Sequence, residues 1–230
     1  MKLSTKAWIR SRYVIMKDVF QRTPFASGVC SESDFVYAID LVQPFMPSPT
    51  LESKKHNLRE AASRINRIVI YPNEIFSFWH IVGNPNNRKR FKEGRSIHAG
   101  CQGIDVGGGL CQASGIIHHL ALLAGLSIEE RFNHSVDLYT DSTRFTPLGT
   151  DATVFYGFKD LRICNNKPFP IYFKLTVEEE NMHASLYSKE RIEPLTLNYD
   201  IQQDDNGNKS VKVLHNGQLV SSSYYEAMTH

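Results

Sequence analysis

A cysteine follows directly after a run of glycines in the stretch VGGGLCQASG, which extends from Val106 to Gly115. The residues behind it, ASGIIHHLALLAG, predict a helix with Cys111 in its first turn. A helix N-terminus favours the thiolate form of cysteine through its unpaired N–H groups and the positive end of its dipole. The same N–H groups can receive an oxyanion when a carbonyl is attacked. The sequence therefore predicts a nucleophile at Cys111.

The glycines before the cysteine have two interpretations. In the first, Gly108 and Gly109 adopt dihedral angles that only glycine tolerates and let substrate approach closely. The amides of Cys111 and Gln112 then hold the oxyanion, or the Gln112 side chain braces the turn. In the second interpretation, Gly107 to Gly109 form an ordinary tight turn, and the cysteine is a small buried hydrophobic residue.

A nucleophilic cysteine needs a base, and the chain contains nine histidines. His118 lies about 10 Å along the predicted helix from Cys111, at about 1.5 Å per residue, which is beyond hydrogen-bond reach. We expect one of His118 and His119 to face the core and the other the surface. His134 is better placed, in the segment SIEERFNHSVDLY. Its alternation predicts a strand with His134 on the buried face and Arg131 on the polar face.

Asp151 opens the segment DATVFYGF, which we predict to be the following strand. Its carboxylate could orient the His134 imidazole through the second ring nitrogen, as the third member of a catalytic triad does. Alternatively, Asp151 only caps the turn after Gly149. The predicted catalytic set is therefore Cys111, His134 and Asp151.

A zinc site formed by His98, Cys101, Cys111 and His134 is a weaker hypothesis. The segment HAGC supplies one closely spaced pair of ligands, but no second close pair completes the set. The four cysteines are widely spaced, which is typical of thiols in a reducing compartment. We therefore predict no metal and no cofactor.

The order of the predicted helices and strands that position these residues indicates an α+β fold. Helix, strands, helix and strands follow one another, which favours an antiparallel sheet around a central helix carrying Cys111 at its N-terminus. Prolines from Pro44 to Pro49 mark a first boundary. We predict a basic helix and extended segment over 1–49, a core domain over 50–188, and a peripheral β extension over 189–230.

Residues 1–25 contain six Lys or Arg and one acidic residue, although the net charge of the whole chain is only +2. This region predicts an amphipathic helix, which either packs on the domain, the favoured interpretation, or contacts a membrane surface. It lacks the continuous apolar region of an export signal, and no apolar run approaches the ~20 residues that span a bilayer. We expect a location in the cytoplasm or at the cytoplasmic face of the membrane. The weak net charge predicts no nucleic-acid partner.

Four motifs in order, NEIFSFWHIVG, GGGLCQASG, AGLSIEERFNHS and GTDATVFYGFKDLRICNN, resemble the VanW family. The resemblance runs from about Asn73 to Lys174. It implies a bacterial origin and an association with the cell envelope and peptidoglycan, and it implies no particular reaction. The order of Cys, His and Asp is also similar to that of transglutaminase-like and papain-like cysteine enzymes, which is an analogy of order alone.

Two functions follow from these observations. The first is a cysteine-dependent amide hydrolase or acyl transferase acting on a peptidoglycan precursor or another envelope peptide. The second is a non-catalytic module that binds a cell-wall ligand, in which the motifs serve only the fold. The two differ in geometry, because a binding module has no need to place the sulfur of Cys111 beside the imidazole of His134.

Overall fold

A computed structural model describes residues 3–29, 35–98, 101–137 and 144–227 of the chain. The helices are α1 (Leu3–Phe20), α2 (Leu51–Ile65), α3 (Phe78–Val82) and α4 (Leu110–Leu123). The strands are β1 (Gly28–Val29), β2 (Tyr37–Pro44), β3 (Ile68–Val69), β4 (Ile75–Ser77), β5 (Glu93–His98), β6 (Cys101–Val106), β7 (Ser127–Glu130), β8 (Arg162–Cys164), β9 (Ile171–Val177), β10 (Asn181–Ser188), β11 (Asn198–Gln203), β12 (Lys209–His215) and β13 (Gln218–Tyr225).

The strands form several small antiparallel sheets. β2, β10 and β9 form one sheet in that order, β4, β8 and β7 a second, and β11, β12 and β13 a third. Two strand pairs, β1 with β3 and β5 with β6, complete the set in the described residues. The predicted α+β class with antiparallel sheets is confirmed. Its likeness to the transglutaminase and papain folds stays a prediction, as do the three domain boundaries.

Helix α4 lies at the centre of the hydrophobic core. Its buried residues occupy nearly every side of the helix, because α2 and the sheet of β2, β10 and β9 pack around it. Both His118 and His119 are consequently buried, with exposed fractions of 0 % and 7 %. The expectation that one of them faces the surface is wrong, since a central helix has no solvent face at that point.

The predicted strand SIEERFNHSVDLY is formed only in its first part. The ladder of β7 ends at Glu130. Beyond Glu130 the backbone accepts isolated hydrogen bonds from two different neighbours. Phe132 O accepts the N–H of Thr153 at 2.7 Å, and Ser135 O accepts the N–H of Glu226 at 2.7 Å. Residues 131–136 therefore form an extended connection between two neighbours and not a regular strand.

The segment DATVFYGF is also not a strand. Residues 151–154 are extended without a ladder, and Phe155 and Lys159 then close a tight turn. The prediction failed because side chains bind the first carbonyl groups of this segment. Arg131 donates to Asp151 O and Ser114 of α4 donates to Ala152 O, so no neighbouring strand is needed to satisfy them.

Helix α1 packs on the domain through a narrow face of small and polar residues. Ala7, Ser11 and Asp18 are buried, and Arg162 clamps the Asp18 carboxylate with two hydrogen bonds of 2.8 Å. The large apolar residues of α1 face outward, with exposed fractions from 47 % to 91 %: Trp8, Ile9, Tyr13, Ile15, Met16, Val19 and Phe20. Within the described residues, no helix combines the length and the apolar character needed to cross a bilayer.

Candidate active site

The glycine turn before α4 is fixed by two different constraints. Gly109 has φ +93°, a left-handed conformation that favours glycine. Gly108 does not share this conformation, but a Cβ placed on it would lie 2.3 Å from the carbonyl carbon of Gly94. The buried Asn57 side chain holds the turn in place, because its Nδ2 donates a hydrogen bond to Gly108 O at 3.0 Å. The expectation of special dihedral angles thus holds for Gly109, whereas Gly108 is required by close backbone approach.

Cys111 lies in the first turn of α4 as a half-buried free thiol. Its Sγ is 3.5 Å from Thr153 Oγ1 and 3.7 Å from Val154 O. Cys111 also lines a large open cavity of about 920 Å³, together with His134 and Asp151. The structure therefore brings the three predicted catalytic residues to one cavity.

One face of α4 binds the extended segment that carries Asp151. Ser114 Oγ donates to Ala152 O at 2.7 Å, one helical turn after Cys111. One turn further, His118 Nδ1 lies 2.8 Å from Thr150 O. Burial lowers the pKa of His118 to about 3, so its ring is neutral and donates this hydrogen bond. His118 is therefore no base for Cys111, but it fixes the backbone beside Asp151.

The carboxylate of Asp151 orients His134. Asp151 Oδ2 lies 2.7 Å from His134 Nδ1 and accepts the backbone N–H of the same residue at 2.8 Å. With Nδ1 bound to the carboxylate, Nε2 is the nitrogen left to exchange a proton with a thiol. Asp151 thus does more than cap the turn after Gly149.

Two further residues complete the site, and sequence reasoning did not identify them. Arg131, predicted on the polar face of a strand, is buried and donates to Asp151 Oδ1 at 3.1 Å and to Ser223 Oγ at 2.7 Å. Tyr225 donates its hydroxyl to the same Asp151 oxygen. Tyr225 comes from β13, 74 residues after Asp151, and no local sequence signal connects the two.

The electrostatics of the site favour its charged form. Burial acts to raise the pKa of the Cys111 thiol, but the adjacent His134 imidazole outweighs burial and lowers that pKa. Burial acts to lower the pKa of His134, but hydrogen bonding to Asp151 and Cys111 raises it. The pKa of Asp151 is likewise lowered, because His134 and Arg131 outweigh the effect of burial. The imidazolium therefore stabilises both the thiolate and the carboxylate, and each of the two anions stabilises the imidazolium.

The predicted oxyanion donors are only partly free. The N–H of Gln112 is engaged with Gly109 O at 3.0 Å, so it is not the free donor that the sequence suggested. The N–H of Cys111, in the first turn of α4, has no partner within the helix. Gln112 Oε1 is buried without a hydrogen bond, so the predicted brace of the glycine turn through this oxygen is not formed.

No group of three potential metal ligands occurs among the residues described. The side chains of His98 and Cys101, two members of the hypothetical zinc site, lie outside the described part of the structure, as does the whole of Cys30.

Comparisons with known proteins agree with the motifs. A family model described as VanW like protein matches residues 53–187. The uncharacterised protein YoaR of Bacillus subtilis is 36 % identical over 141 residues, which cover 61 % of this chain and 45 % of YoaR. The vancomycin B-type resistance protein VanW of Enterococcus faecalis is 28 % identical over 144 residues, which cover 63 % of this chain and 52 % of that protein. The chain spans about half the length of these curated relatives. No solved structure matches it significantly.

Proposed function

The chain belongs to the VanW family, and we propose that it is a cysteine-dependent amide hydrolase or acyl transferase. The supporting observation is the placement of a helix-N-terminal thiol beside an imidazole that a half-buried carboxylate orients, all on one open cavity. This combination is the arrangement that activates a cysteine for attack on a carbonyl.

In the first half of the reaction, the Cys111 thiolate attacks the carbonyl carbon of an amide. The N–H of Cys111 stabilises the oxyanion that forms, with the Gln112 side-chain amide as a second potential donor. The carbon–nitrogen bond then breaks, and the His134 imidazolium gives its proton to the departing amine. The product on the enzyme is a thioester at Cys111.

In the second half, a water molecule or an amine attacks the thioester. Neutral His134 accepts the proton of the attacking group, and the carbon–sulfur bond breaks to restore the thiolate and the imidazolium. Asp151 keeps Nδ1 of His134 occupied throughout, so the same Nε2 serves as acid and then as base. Arg131 and Tyr225 position Asp151 and stabilise its charge.

For the substrate, we propose a peptide of peptidoglycan or of its precursors. One relative is named as a vancomycin B-type resistance protein, and the resemblance to the VanW family implies an association with peptidoglycan. Contact with a membrane surface through the exposed apolar side of α1 is a further part of the proposal. The location in the cytoplasm or at its membrane face stays a prediction, as does the absence of a nucleic-acid partner.

Trapping the thioester tests the proposal directly. The protein is incubated with synthetic stem peptides at pH 6 and quenched in acid, and the mass of the Cys111 peptide is measured. We expect an added acyl mass on Cys111 of the wild-type protein and none on Cys111→Ser. His134→Ala should retain binding of the peptide but form the adduct far more slowly.

The non-catalytic binding module remains the competing function, and the same experiment separates the two. A binding module would bind the stem peptide with equal affinity in the wild-type protein and in Cys111→Ser, and neither would form an adduct. The pKa changes of Cys111 and His134 favour the enzyme, because ligand binding alone gives no reason to hold a thiolate and an imidazolium together.

A further inference from the structure

Two positively charged side chains flank the glycine turn without an acidic partner. Lys54 of α2 and Arg95 of β5 both line the cavity, and neither occurs in an ion pair between described residues. The neighbouring Lys55 differs, because it pairs with Glu52 at 3.0 Å and Glu179 at 2.9 Å. Lys54 Nζ instead lies 5.6 Å from the centroid of the Phe45 ring. The lack of an acidic partner is therefore a local property of the cavity wall and not of α2 as a whole.

The backbone places both cations close to the nucleophile. A Cβ added to Gly109 would lie 2.5 Å from Lys54 Cγ, so the Lys54 stem packs directly on the last residue of the turn. Arg95 follows Gly94, and the Gly94 backbone is in contact with Gly108. Lys54 and Arg95 thus both lie beside the turn that leads into Cys111.

The two cations also affect each other. Burial, and then the positive charge of Arg95, lower the pKa of Lys54 to about 8. Lys54 is half-buried and Arg95 is exposed, so an anion that contacts both side chains would relieve their repulsion. Three carboxylates also line the cavity, and none of them forms an ion pair with Lys54 or Arg95 between described residues. Asp137 is bound by Arg144 and Lys209, Asp151 is bound by His134 and Arg131, and Asp105 has an interaction of its own.

We propose that Lys54 and Arg95 form a subsite for a carboxylate of the substrate, on the glycine-turn side of Cys111. The assignment rests on the proposed acyl-transfer function and makes its substrate class more specific. The substrate would be a peptide whose free carboxylate lies close to the amide bond that Cys111 attacks. Arg95 can bind a carboxylate with two parallel hydrogen bonds, and Lys54 adds a compact charge.

Alkylation of Cys111 by two matched reagents tests the subsite without a known substrate. Iodoacetate carries a carboxylate and iodoacetamide a neutral amide, while the reacting carbon and the leaving group are the same. The ratio of their rates at Cys111, measured by mass spectrometry of the Cys111 peptide at pH 7, therefore reports how strongly the site attracts a carboxylate.

Lys54→Met keeps the apolar stem against Gly109 and removes the charge, and Arg95→Gln removes the guanidinium. We expect each variant to lower the iodoacetate-to-iodoacetamide ratio by about three- to ten-fold, the scale of one unit charge acting over several ångströms. Lys89→Gln, which removes an equal charge from the exposed polar loop, should leave the ratio at the wild-type value.

An unchanged ratio in both Lys54→Met and Arg95→Gln would overturn the subsite, as would an equal decrease in Lys89→Gln. The proposed function has a separate readout, which is the absolute rate of iodoacetamide with the wild-type protein. If that rate is no faster than for an ordinary thiol while the ratio still depends on Lys54 and Arg95, the carboxylate subsite stands and the activated nucleophile does not.

Discussion

Replacing His134 by alanine should remove the activation of Cys111 while leaving the fold intact. The imidazole is the main influence that lowers the pKa of the thiol, and the effect of burial acts in the opposite direction. Without His134, the thiol should therefore have a pKa at or above the ~8.5 of free cysteine. The thiolate would then be present only in alkaline solution.

The size of the effect depends on pH. A thiol with a pKa of about 8.5 is about 0.1 % ionised at pH 5.5, whereas the lowered pKa of Cys111 leaves a larger thiolate fraction in the wild-type pair. A more basic thiolate is intrinsically more nucleophilic, which offsets part of the loss. We therefore expect the alkylation of Cys111 by iodoacetamide to slow by about tenfold at pH 5.5, the scale that separates an activated from an ordinary thiol after this offset.

The measurement is the rate of iodoacetamide labelling at Cys111 between pH 5 and 9, with thermal unfolding of each variant as the control for folding. The wild-type rate should persist into acid and be lost only as the pH falls through the lowered pKa of the thiol. In His134→Ala the rate should decrease about tenfold per pH unit below about 8. Identical pH profiles for the two proteins would refute the ion pair between Cys111 and His134.

Three further results are expected. Gly109→Val should destabilise the protein by about 1 to 3 kcal/mol, because valine is strained at φ +93° and its Cβ meets the Lys54 stem; an unchanged melting temperature would contradict this. Truncation after Ser188 should leave a cooperatively folding core but slow Cys111 labelling, since the last strand supports Asp151; non-cooperative unfolding would show that the tail belongs to the core. Vesicles with anionic lipid should bind the wild-type protein in co-sedimentation, and an Ile15→Glu/Val19→Glu variant should bind much less; equal binding would exclude membrane contact through α1.

The chemistry of the candidate site could be predicted because it depends on local patterns. A glycine run that leads into an apolar helical segment predicts a helix N-terminus at Cys111, and the structure has α4 beginning at Leu110. The alternation after α4 placed His134 on the cavity side, although the strand itself ends early. These signals are contained within a few residues of each other, which is the range over which backbone preference and hydrophobic periodicity act.

The residues that hold Asp151 in position could not be predicted in the same way. Arg131 was expected to face solvent, because an arginine in an alternating segment is usually exposed. Its side chain is only 6 % exposed, because it pairs with the half-buried Asp151 carboxylate and donates to nearby carbonyl groups.

The sequence by itself determined the candidate nucleophile, its place at a helix start, the candidate base, the carboxylate proposed to orient it, and the α+β class. Only the tertiary structure decided that His118 holds the backbone beside Asp151, that Tyr225 reaches the site from the last strand, and that Lys54 lies against the glycine turn. Each of these contacts joins residues that are far apart along the chain. Their formation depends on how buried polar groups find partners once the core has packed, which no local pattern of residues specifies.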